Sequence, residues 1–358
     1  MSEMRKMLAE AADRLFADLA TRKASEDAER GELDHQAWST VEEGGYSAAT
    51  RSVARGGDGA DRGDALAVAY EAGRHALALP LVEALIAELV LARAGLPPCR
   101  GMVSIAPTLP GQRCKVDRAG AHATLYGKVS RIPWGRHAGA VVLVARDQAG
   151  AWTTVVVRGA SAAEKGANFA NEPRDAFVLD GLRVPAADVG SPGESLDPDG
   201  LRFIGAQVRA AQMAGALSRV LALSVQYAKE RIQFGKPIGQ FQAVQQQLAV
   251  LASQSAAANA AFDALTAALD RGGANLETAA AKARVGEAGH IGAGIAHAVH
   301  AAMGFTQEHS LHRFTRRIWS WRDEFGSEIE WAEWLGAEVL ARGGNQLWPL
   351  VLGECSIS

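Results

Sequence analysis

The segment from Tyr227 to Gln242 reads Tyr-Ala-Lys-Glu-Arg-Ile-Gln-Phe-Gly-Lys-Pro-Ile-Gly-Gln-Phe-Gln and interrupts a long helical pattern. The pattern predicts a helix from about Leu201 that ends near Glu230, because Gly235 and Pro237 prevent its continuation. A second helix is predicted to begin near Phe241. Arg231 is therefore expected at a helix end.

The side chains of this segment suit contact with a phosphate-bearing ligand. A guanidinium at Arg231 can fork onto phosphate oxygens. Phe234 and Phe241 offer apolar surface, while Gln233 and Gln242 offer amide hydrogen bonds. A structural alternative stays open at this point, in which Arg231 caps helix carbonyls and the two phenylalanines belong to a core.

Composition excludes several classes of function. The chain has 358 residues, of which 22% are charged, and a formal net charge of -3. It therefore has no excess of basic residues that would bind nucleic acid or an anionic membrane. The cysteines Cys99, Cys114 and Cys355 are odd in number and widely spaced, which favours a reducing compartment and no metal site. The charged N-terminus predicts neither a signal peptide nor a membrane span, so we expect a soluble, cytoplasmic protein.

The amino-acid composition and the hydrophobic pattern change twice along the chain, which predicts three domains. Residues 1–97 are Ala/Leu/Glu-rich with helical spacing, broken at Gly44 to Tyr46 and at Gly56 to Gly63, and residues 98–195 are rich in short strand-like runs. Residues 196–358 are alanine-rich with long helical segments, broken at Phe234 to Gly239 and at Arg271 to Ala274. The expected fold class is mainly α with a middle β-domain of the small barrel or sandwich type, followed by antiparallel helices. The expected strands are Val103 to Ile105, His122 to Tyr126, Ala140 to Val144, Thr153 to Val157 and Phe177 to Leu179.

The ordered pattern Tyr-x-x-x-Arg-x-x-Phe-Gly-x-x-Ile-x-x-Phe-Gln resembles the signature of the acyl-CoA dehydrogenase family. The resemblance implies a helical N-terminal domain, a β-barrel-like middle domain and a C-terminal helical bundle through which subunits pair. It also implies FAD as cofactor. Arg231, Gln233, Phe234 and Gln242 would then contact the FAD of a neighbouring subunit.

Two further segments extend the resemblance. Gly127 to Trp134 is similar to the strand that packs along the flavin ring in this family, which implies that Ile132 and Pro133 contact the cofactor. The segment His297 to Arg317 resembles the family's Gln-x-x-Gly-Gly-x-Gly-Phe-Thr, whose Gln and glycines approach the FAD pyrophosphate. Here the Gln slot is Ala298 and the glycine pair is Ala301-Ala302, while Gly304, Phe305 and Thr306 remain.

The same resemblance implies a catalytic base. The segment Asp323-Glu-Phe-Gly-Ser-Glu-Ile329 aligns without gaps onto the family's Tyr-Glu-Gly-Thr-Ser-Glu/Gln-Ile, which places Glu324 on the catalytic glutamate and Ser327 among the cofactor contacts. A second position used for the base in some members corresponds to Gly205, which has no side chain. The alternative for Glu324 is a surface carboxylate at the start of a last helix, with Glu328 and Glu330 as the next candidates.

Other suggestive residues are interpreted structurally. The histidines His297, His300, His309 and His312 lack acidic or cysteine partners at ligand spacing, so we expect polar groups near a helix end and no metal. The glycines between Gly56 and Gly63 predict a surface turn and no phosphate loop, because no strand precedes them. Another four glycines lie in a helical stretch and predict close helix packing: Gly286, Gly289, Gly292 and Gly294.

The expected activity is the α,β-dehydrogenation of an acyl-CoA thioester, with an electron-transferring flavoprotein as the acceptor of electrons. The chain also resembles the shorter subunits of heteromeric members that process bulky substrates such as steroid side chains. The second possibility is therefore a partner subunit that completes FAD sites without performing chemistry itself, in a heterotetramer with a homologous subunit instead of a homo-oligomer. A third possibility is a scaffold that keeps the fold and binds no flavin.

Overall fold

The computed structural model describes residues 3–57, 59–191 and 194–351. It is mostly helical, with strands confined to the middle of the chain and one short hairpin, so the predicted fold class is confirmed. Within the described residues, no helix is both long and apolar enough to cross a bilayer. The predicted free cysteine Cys355 lies outside the described residues, whereas Cys99 and Cys114 are free and buried.

Five helices precede the strands, and local capping sets several of their ends. Thr21 and Asp34 are N-caps whose side chains accept hydrogen bonds from the backbone of the first turn, and the predicted break at Gly44 is a helix C-cap. The five helices are α1 Glu3–Leu19, α2 Arg22–Glu29, α3 His35–Glu43, α4 Arg62–Arg74 and α5 Leu81–Arg93.

The middle of the chain forms a six-stranded sheet and a two-stranded pair that share one apolar core. In the larger sheet the order is β1-β5-β2-β3-β8 with β6 beside β5, and the separate pair is β4-β7. All five predicted runs coincide with strands, although the run Phe177 to Leu179 overlaps only the end of β7, and β2 and β8 were not predicted. The strands are β1 Val103–Ile105, β2 Lys115–Ala119, β3 His122–Tyr126, β4 Lys128–Pro133, β5 Ala140–Arg146, β6 Trp152–Arg158, β7 Arg174–Val178 and β8 Leu182–Pro185.

Long helices fill the C-terminal part of the chain. The predicted helix ends near Glu230 and at Arg271–Ala274 are confirmed, since α6 spans Pro198–Glu230, α7 spans Gln242–Asp270 and α8 spans Asn275–His300. Between α6 and α7 lies a small hairpin of β9 Ile232–Gln233 and β10 Lys236–Pro237. The chain continues through α9 Leu311–Asp323, α10 Glu328–Arg342 and α11 Leu347–Val351.

The chain divides into two compact units. The first, called here the sheet unit, contains the chain up to Arg5 with Leu19–Ala65 and Ala78–Gly205; the second, the bundle unit, contains Lys6–Asp18, Leu66–Leu77 and the chain from Ala206 onward. The sheet unit is centred on the strand core, and the bundle unit on apolar residues of α6 to α9. The division into domains at residues 97 and 195 stays a prediction.

Candidate functional site

The Arg231 segment forms a hydrogen-bonded projection at the end of α6. The Arg231 N–H donates to the Tyr227 carbonyl, and the Arg231 carbonyl accepts from the Ile238 N–H, each at 2.8 Å. Between these bonds the β9–β10 hairpin turns at Phe234 and Gly235, whose φ angles are +52° and +79°. Two consecutive positive φ values are typical of the tight turn that joins twisted antiparallel strands.

The side chains of this hairpin point away from the bundle unit. Phe234 is 94% exposed and Ile232 is 61% exposed, and Arg231, Gln233 and Gln242 are exposed as well. No described residue pairs with the Arg231 guanidinium. A hairpin held by backbone bonds, with an unpaired cation and an uncovered aromatic ring, is suited to bind a planar, anionic molecule.

An aromatic stack joins the base of this hairpin to the segment 297–317, which was also predicted to approach the cofactor. The Tyr227 ring lies parallel to the His300 ring with centroids 4.4 Å apart, and His309 approaches the Tyr227 edge at 5.9 Å. Burial lowers the pKa of His300 to about 4, so the His300 ring is neutral at physiological pH. The four histidines do not come together as a set of metal ligands among the described residues.

Gly304 lies beneath this stack in a tightly packed position. A Cβ atom at Gly304 would lie 3.1 Å from both His297 Nδ1 and His300 Cβ. His297 itself lies between Phe305 and Trp319, with centroid distances of 4.3 and 5.6 Å. Gly304 therefore has a packing role in the bundle unit, and its contact with a cofactor stays a prediction.

Ala301 has a backbone conformation that alanine rarely adopts. At the end of α8 its φ is +49° and its ψ is -137°, a region that L-residues avoid because Cβ collides with the backbone. Ala298, Ala301 and Ala302 are exposed and carry no polar side-chain atoms. The backbone thus turns where the family has a glycine pair, and this part of the site offers a ligand only main-chain groups.

Glu324 is the counter-ion of a buried arginine. It follows α9 directly, and its Oε2 accepts from Arg209 Nε at 2.7 Å and pairs with Arg209 Nη2 at 2.6 Å. The Arg209 side chain is 1% exposed and that of Glu324 is 20% exposed. Arg209 also donates to Gln212 and lies over the Trp321 ring. The carboxylate is thus oriented from the interior of the bundle unit while one side stays accessible.

A second buried cation fixes the loop that carries Glu324. Lys282 is fully buried, and its Nζ donates to the Arg322 carbonyl at 2.6 Å and to the Gly326 carbonyl at 2.7 Å. Burial lowers the pKa of Lys282 to about 7, because the ammonium loses its hydration. Phe325 and Gly326 both have positive φ, and the Phe325 carbonyl accepts from Trp331 Nε1 at 3.1 Å. We call the loop 323–327 with Lys282 and Trp331 the carboxylate loop.

The other predicted site residues near Glu324 form hydrogen bonds around the start of α10. Ser327 is the N-cap of α10 and forms a capping box with Glu330, in which the Ser327 N–H donates to Glu330 Oε2 at 2.7 Å. Glu328 accepts from Arg322 Nε at 2.5 Å. Although burial acts to raise it, the pKa of Glu328 is lowered by this hydrogen bond. Glu328 and Glu330 therefore support the loop, and the cofactor role of Ser327 stays a prediction.

The hairpin and the carboxylate loop lie at opposite ends of the bundle unit. Arg209 and Tyr227 are eighteen residues apart on α6, and Lys282 and His300 are eighteen residues apart on α8. At a rise of 1.5 Å per residue, both pairs span about 27 Å. Arg231 and Glu324 of one chain are therefore too far apart to act on the same small group of atoms.

The predicted strand residues belong to the sheet unit. Ile132 is fully buried in the strand core, and Pro133 is buried with its carbonyl accepting from Ser104 Oγ. The register of β4 shifts between Val129 and Ile132, next to Arg131 with φ +58°. The Ile132 side chain thus serves the core of its own unit, and a flavin contact through the backbone of this segment stays a prediction.

Sequence reasoning missed Arg209 and Lys282. Each carries a local signal, namely a single cation inside an otherwise small and apolar helical run, Val208-Arg-Ala-Ala and Ala279-Ala-Ala-Lys-Ala. A long cation placed on a core face is buried only where oxygen atoms meet it. That pattern predicts a buried ion contact without revealing its partner.

Comparison with known proteins agrees along most of the chain. The family model described as acyl-CoA dehydrogenase, C-terminal domain, matches residues 204–328. The acyl-CoA dehydrogenase IpdE2 of Mycobacterium tuberculosis is 30% identical over 322 residues, which cover 88% of this chain and 91% of the relative. IpdE2 of Mycolicibacterium smegmatis is 27% identical over 344 residues, which cover 95% of this chain and 100% of the relative.

Solved structures confirm the predicted fold. A chain of the ChsE4–ChsE5 complex from Mycobacterium tuberculosis gives a TM-score of 0.86 at 22% identity, covering 96% of this chain and 98% of that one. Butyryl-CoA dehydrogenase from Megasphaera elsdenii gives 0.84 at 19% identity, covering 95% and 99%. At such identities the likeness establishes the fold alone.

Proposed function

This chain belongs to the acyl-CoA dehydrogenase family of FAD oxidoreductases, and from that premise we propose that it dehydrogenates an acyl-CoA thioester to the trans-2-enoyl-CoA within an oligomer. The observation that carries the proposal is the separation of the exposed hairpin from the carboxylate loop by about 27 Å along α6 and α8. With this arrangement, Arg231 of one chain completes a site whose Glu324 belongs to another chain.

The hairpin fits the flavin nucleotide that this family uses. The Arg231 guanidinium, free of described partners, would bind the pyrophosphate, and the exposed Phe234 ring would cover part of the nucleotide. Gln233 and Gln242 would donate amide hydrogen bonds. When bound, the flavin supplies the acceptor for the hydride that leaves the β-carbon.

Glu324 is the residue we propose as base. Loss of the α-proton of a thioester requires a carboxylate at a fixed position beside the substrate. Arg209 and the carboxylate loop fix Glu324 in this way, and its side chain is 20% exposed, so a substrate can reach it. When the carboxylate takes up the proton, its electrostatic attraction to the Arg209 guanidinium weakens. The guanidinium keeps its hydrogen bond to the uncharged Gln212.

The experiment compares Glu324→Gln with the matched control Glu333→Gln, an exposed glutamate on α10. Glu324→Gln keeps an oxygen that accepts from Arg209 but removes the proton acceptor, so we expect dehydrogenation to fall by at least about 10²-fold with unchanged flavin content. Activity is followed by bleaching of the flavin with acyl-CoA and by reduction of electron-transferring flavoprotein. Full activity of Glu324→Gln would show that another group is the base.

A second candidate function is a half-site subunit that completes the FAD site of a homologous partner. It is favoured by Ala298, Ala301 and Ala302, which offer no side-chain donors where a pyrophosphate would lie. The ChsE4–ChsE5 structure is a complex of two differently named subunits, and another structural neighbour is described as a steroid ACAD. Bulky ring-bearing acyl-CoAs are accordingly the substrate class we propose to test first.

Native mass spectrometry of the chain expressed with and without its genomic neighbours separates these functions. One FAD per chain in a homo-oligomer supports the self-sufficient dehydrogenase, whereas FAD bound only in a hetero-oligomer supports the half-site subunit. A flavin-free scaffold predicts no flavin absorbance in either preparation. Absorbance near the flavin bands in one of them would exclude the scaffold.

A further inference from the structure

A pocket in the sheet unit has three basic residues among the seven that line it. It lies between the loop that precedes β2 and the turn that joins β5 to β6, and its volume is about 520 Å³. Pockets that hold small molecules typically span roughly 300–1,000 Å³. The lining residues are Gly111, Gln112, Arg113, Cys114, Lys115, Arg146 and Trp152.

The charges of this pocket are uncompensated. Lys115 on β2 and Arg146 on β5 are direct register partners, so two cations stand opposite each other on adjacent strands. Neighbouring like charges repel each other. No carboxylate of the described residues lies within salt-bridge distance of Arg113, Lys115 or Arg146, and none lines the pocket. An anionic ligand would remove the repulsion.

The backbone holds these groups at fixed positions. The Arg146 N–H donates to the Cys114 carbonyl at 2.9 Å, which ties β5 to the start of β2. Gly127, with φ +110°, passes so close to the Arg113 carbonyl that a Cβ atom there would overlap it. Arg113 is thus fixed through its backbone, while its exposed side chain can turn toward a ligand.

An aromatic ring and an unsatisfied acceptor complete the pocket. The Arg146 guanidinium carbon lies 4.4 Å from the Trp152 ring centroid, so the indole is fixed on one face and borders the pocket. The buried Oε1 of Gln112 has no hydrogen-bond donor among the described residues. Burial raises the pKa of Cys114 to about 12, so the thiol adds no negative charge to the floor.

We propose that this pocket binds a nucleotide, with its phosphate between Arg113, Lys115 and Arg146 and its base against Trp152. Charge-assisted bonds to phosphate and stacking on an indole are the two contacts that such a ligand requires. The volume exceeds the needs of a free phosphate ion. This inference rests on the sheet unit alone and does not depend on the proposed dehydrogenase activity.

Isothermal titration calorimetry of the full-length protein with AMP tests the proposal at low ionic strength. We expect wild type to bind AMP more tightly than inorganic phosphate or adenosine, and added salt to weaken the binding. Arg113→Gln/Lys115→Gln should weaken AMP by at least about tenfold, because charged hydrogen bonds are lost. The matched control is Arg183→Gln, which removes an exposed arginine on β8 of the same sheet and should leave AMP binding unchanged.

Two results would overturn the nucleotide site. One is an absence of AMP binding by wild type, and the other is equal AMP binding by Arg113→Gln/Lys115→Gln and the control. Trp152→Leu tests the base contact separately, since it should abolish the preference for AMP over inorganic phosphate while phosphate binding remains. A preference that survives this substitution contradicts the role of the indole.

The nucleotide can be free or can be the nucleotide end of a coenzyme A thioester. Competition calorimetry separates the two sources, with pantetheine as the control because it lacks the nucleotide. Displacement of AMP by coenzyme A and not by pantetheine assigns the pocket to the thioester. Simultaneous binding of AMP and coenzyme A assigns it to a free nucleotide.

Discussion

Ala301 has a left-handed conformation that a glycine would adopt without strain. Its φ of +49° and ψ of -137° cost an alanine about 1–3 kcal/mol, whereas the extra chain entropy of glycine costs about 0.5–1 kcal/mol. We therefore expect Ala301→Gly to raise the free energy of unfolding by about 1 kcal/mol. Chemical denaturation with a fixed m-value measures this change.

Ala302 is the matched control for this substitution. It is the next residue and is also exposed, but it does not have a positive φ. Ala302→Gly should therefore leave the free energy of unfolding unchanged or lower it. If both glycine variants are destabilised to the same degree, the strain at Ala301 is relieved in solution.

Among the elements, the β9–β10 hairpin carries an aromatic ring at a position that suits asparagine better. Phe234 precedes Gly235 at the turn, has φ +52° and is 94% exposed. Asn-Gly is the preferred pair for such a turn, so Phe234→Asn should keep or increase thermal stability. Because the ring is lost, we expect the purified assembly to retain less flavin than wild type. Equal flavin occupancy at equal stability would show that Phe234 does not contact the cofactor.

The carboxylate loop depends on a buried ammonium, which links its stability to pH. The pKa of Lys282 is about 7 in the folded chain, below the ordinary value of 10.5. Between these values the unfolded chain binds more protons than the folded chain, so stability rises with pH. The burial penalty is complete below about pH 7 and is relieved toward pH 10.5.

Lys282→Met removes this linkage. The free energy of unfolding of wild type minus that of Lys282→Met should increase from pH 7 to pH 9.5 by up to about 1.4 kcal/mol per pH unit. Urea denaturation at several pH values measures the difference, with Lys229→Met, an exposed lysine near the end of α6, as the control. A constant difference across this range would mean that Lys282 stays protonated in the folded chain at every pH tested.

The elements that sequence predicted well are those with local causes. Gly235, Pro237 and the Arg271–Ala274 break fix helix ends within a few residues. The helical glycines were predicted to permit close packing, which is confirmed for Gly286 against Glu328, Gly289 against Ile318 and Gly292 against Leu217. The prediction is wrong for Gly294, where a Cβ atom would meet no other atom within 4 Å. The β9–β10 hairpin and β2 were missed, because a two-residue strand and a charged strand with a single buried residue carry almost no hydrophobic period.

The candidate site was less predictable because its determinants are long-range contacts. The family alignment marked Glu324, but Arg209 is 115 residues away in sequence and Lys282 meets the loop across 40 to 44 residues. Local sequence cannot show that a carboxylate will meet a buried guanidinium. It also could not show that Ile132 would turn into the strand core, since β4 changes register at a bulge.

At the scale of the whole molecule, one chain presents two halves of what we propose to be different sites. The exposed hairpin offers groups that could bind a cofactor but no catalytic carboxylate. The carboxylate loop offers Glu324 but not the Arg231 guanidinium that would bind the cofactor phosphate. In a symmetric pair, each chain can lend its hairpin to the other, because an isologous interface repeats every contact twice. If the two halves belong to one site as we propose, oligomerisation is a condition for activity.

Subunit complementation tests that condition directly. Arg231→Ala removes the guanidinium that we propose binds the cofactor, and Glu324→Gln removes the proposed base. In either variant alone, every site should therefore carry the same single defect. In a co-expressed 1:1 mixture, a mixed pair contains one site with both changes and one site with neither, so about a quarter of all sites should recover activity. We would measure turnover per bound FAD, and use a mixture of Arg231→Ala with wild type to check that subunits exchange. If mixed pairs form without any recovery, Arg231 and Glu324 do not meet at a shared site, and the chain requires a homologous subunit to supply the missing half.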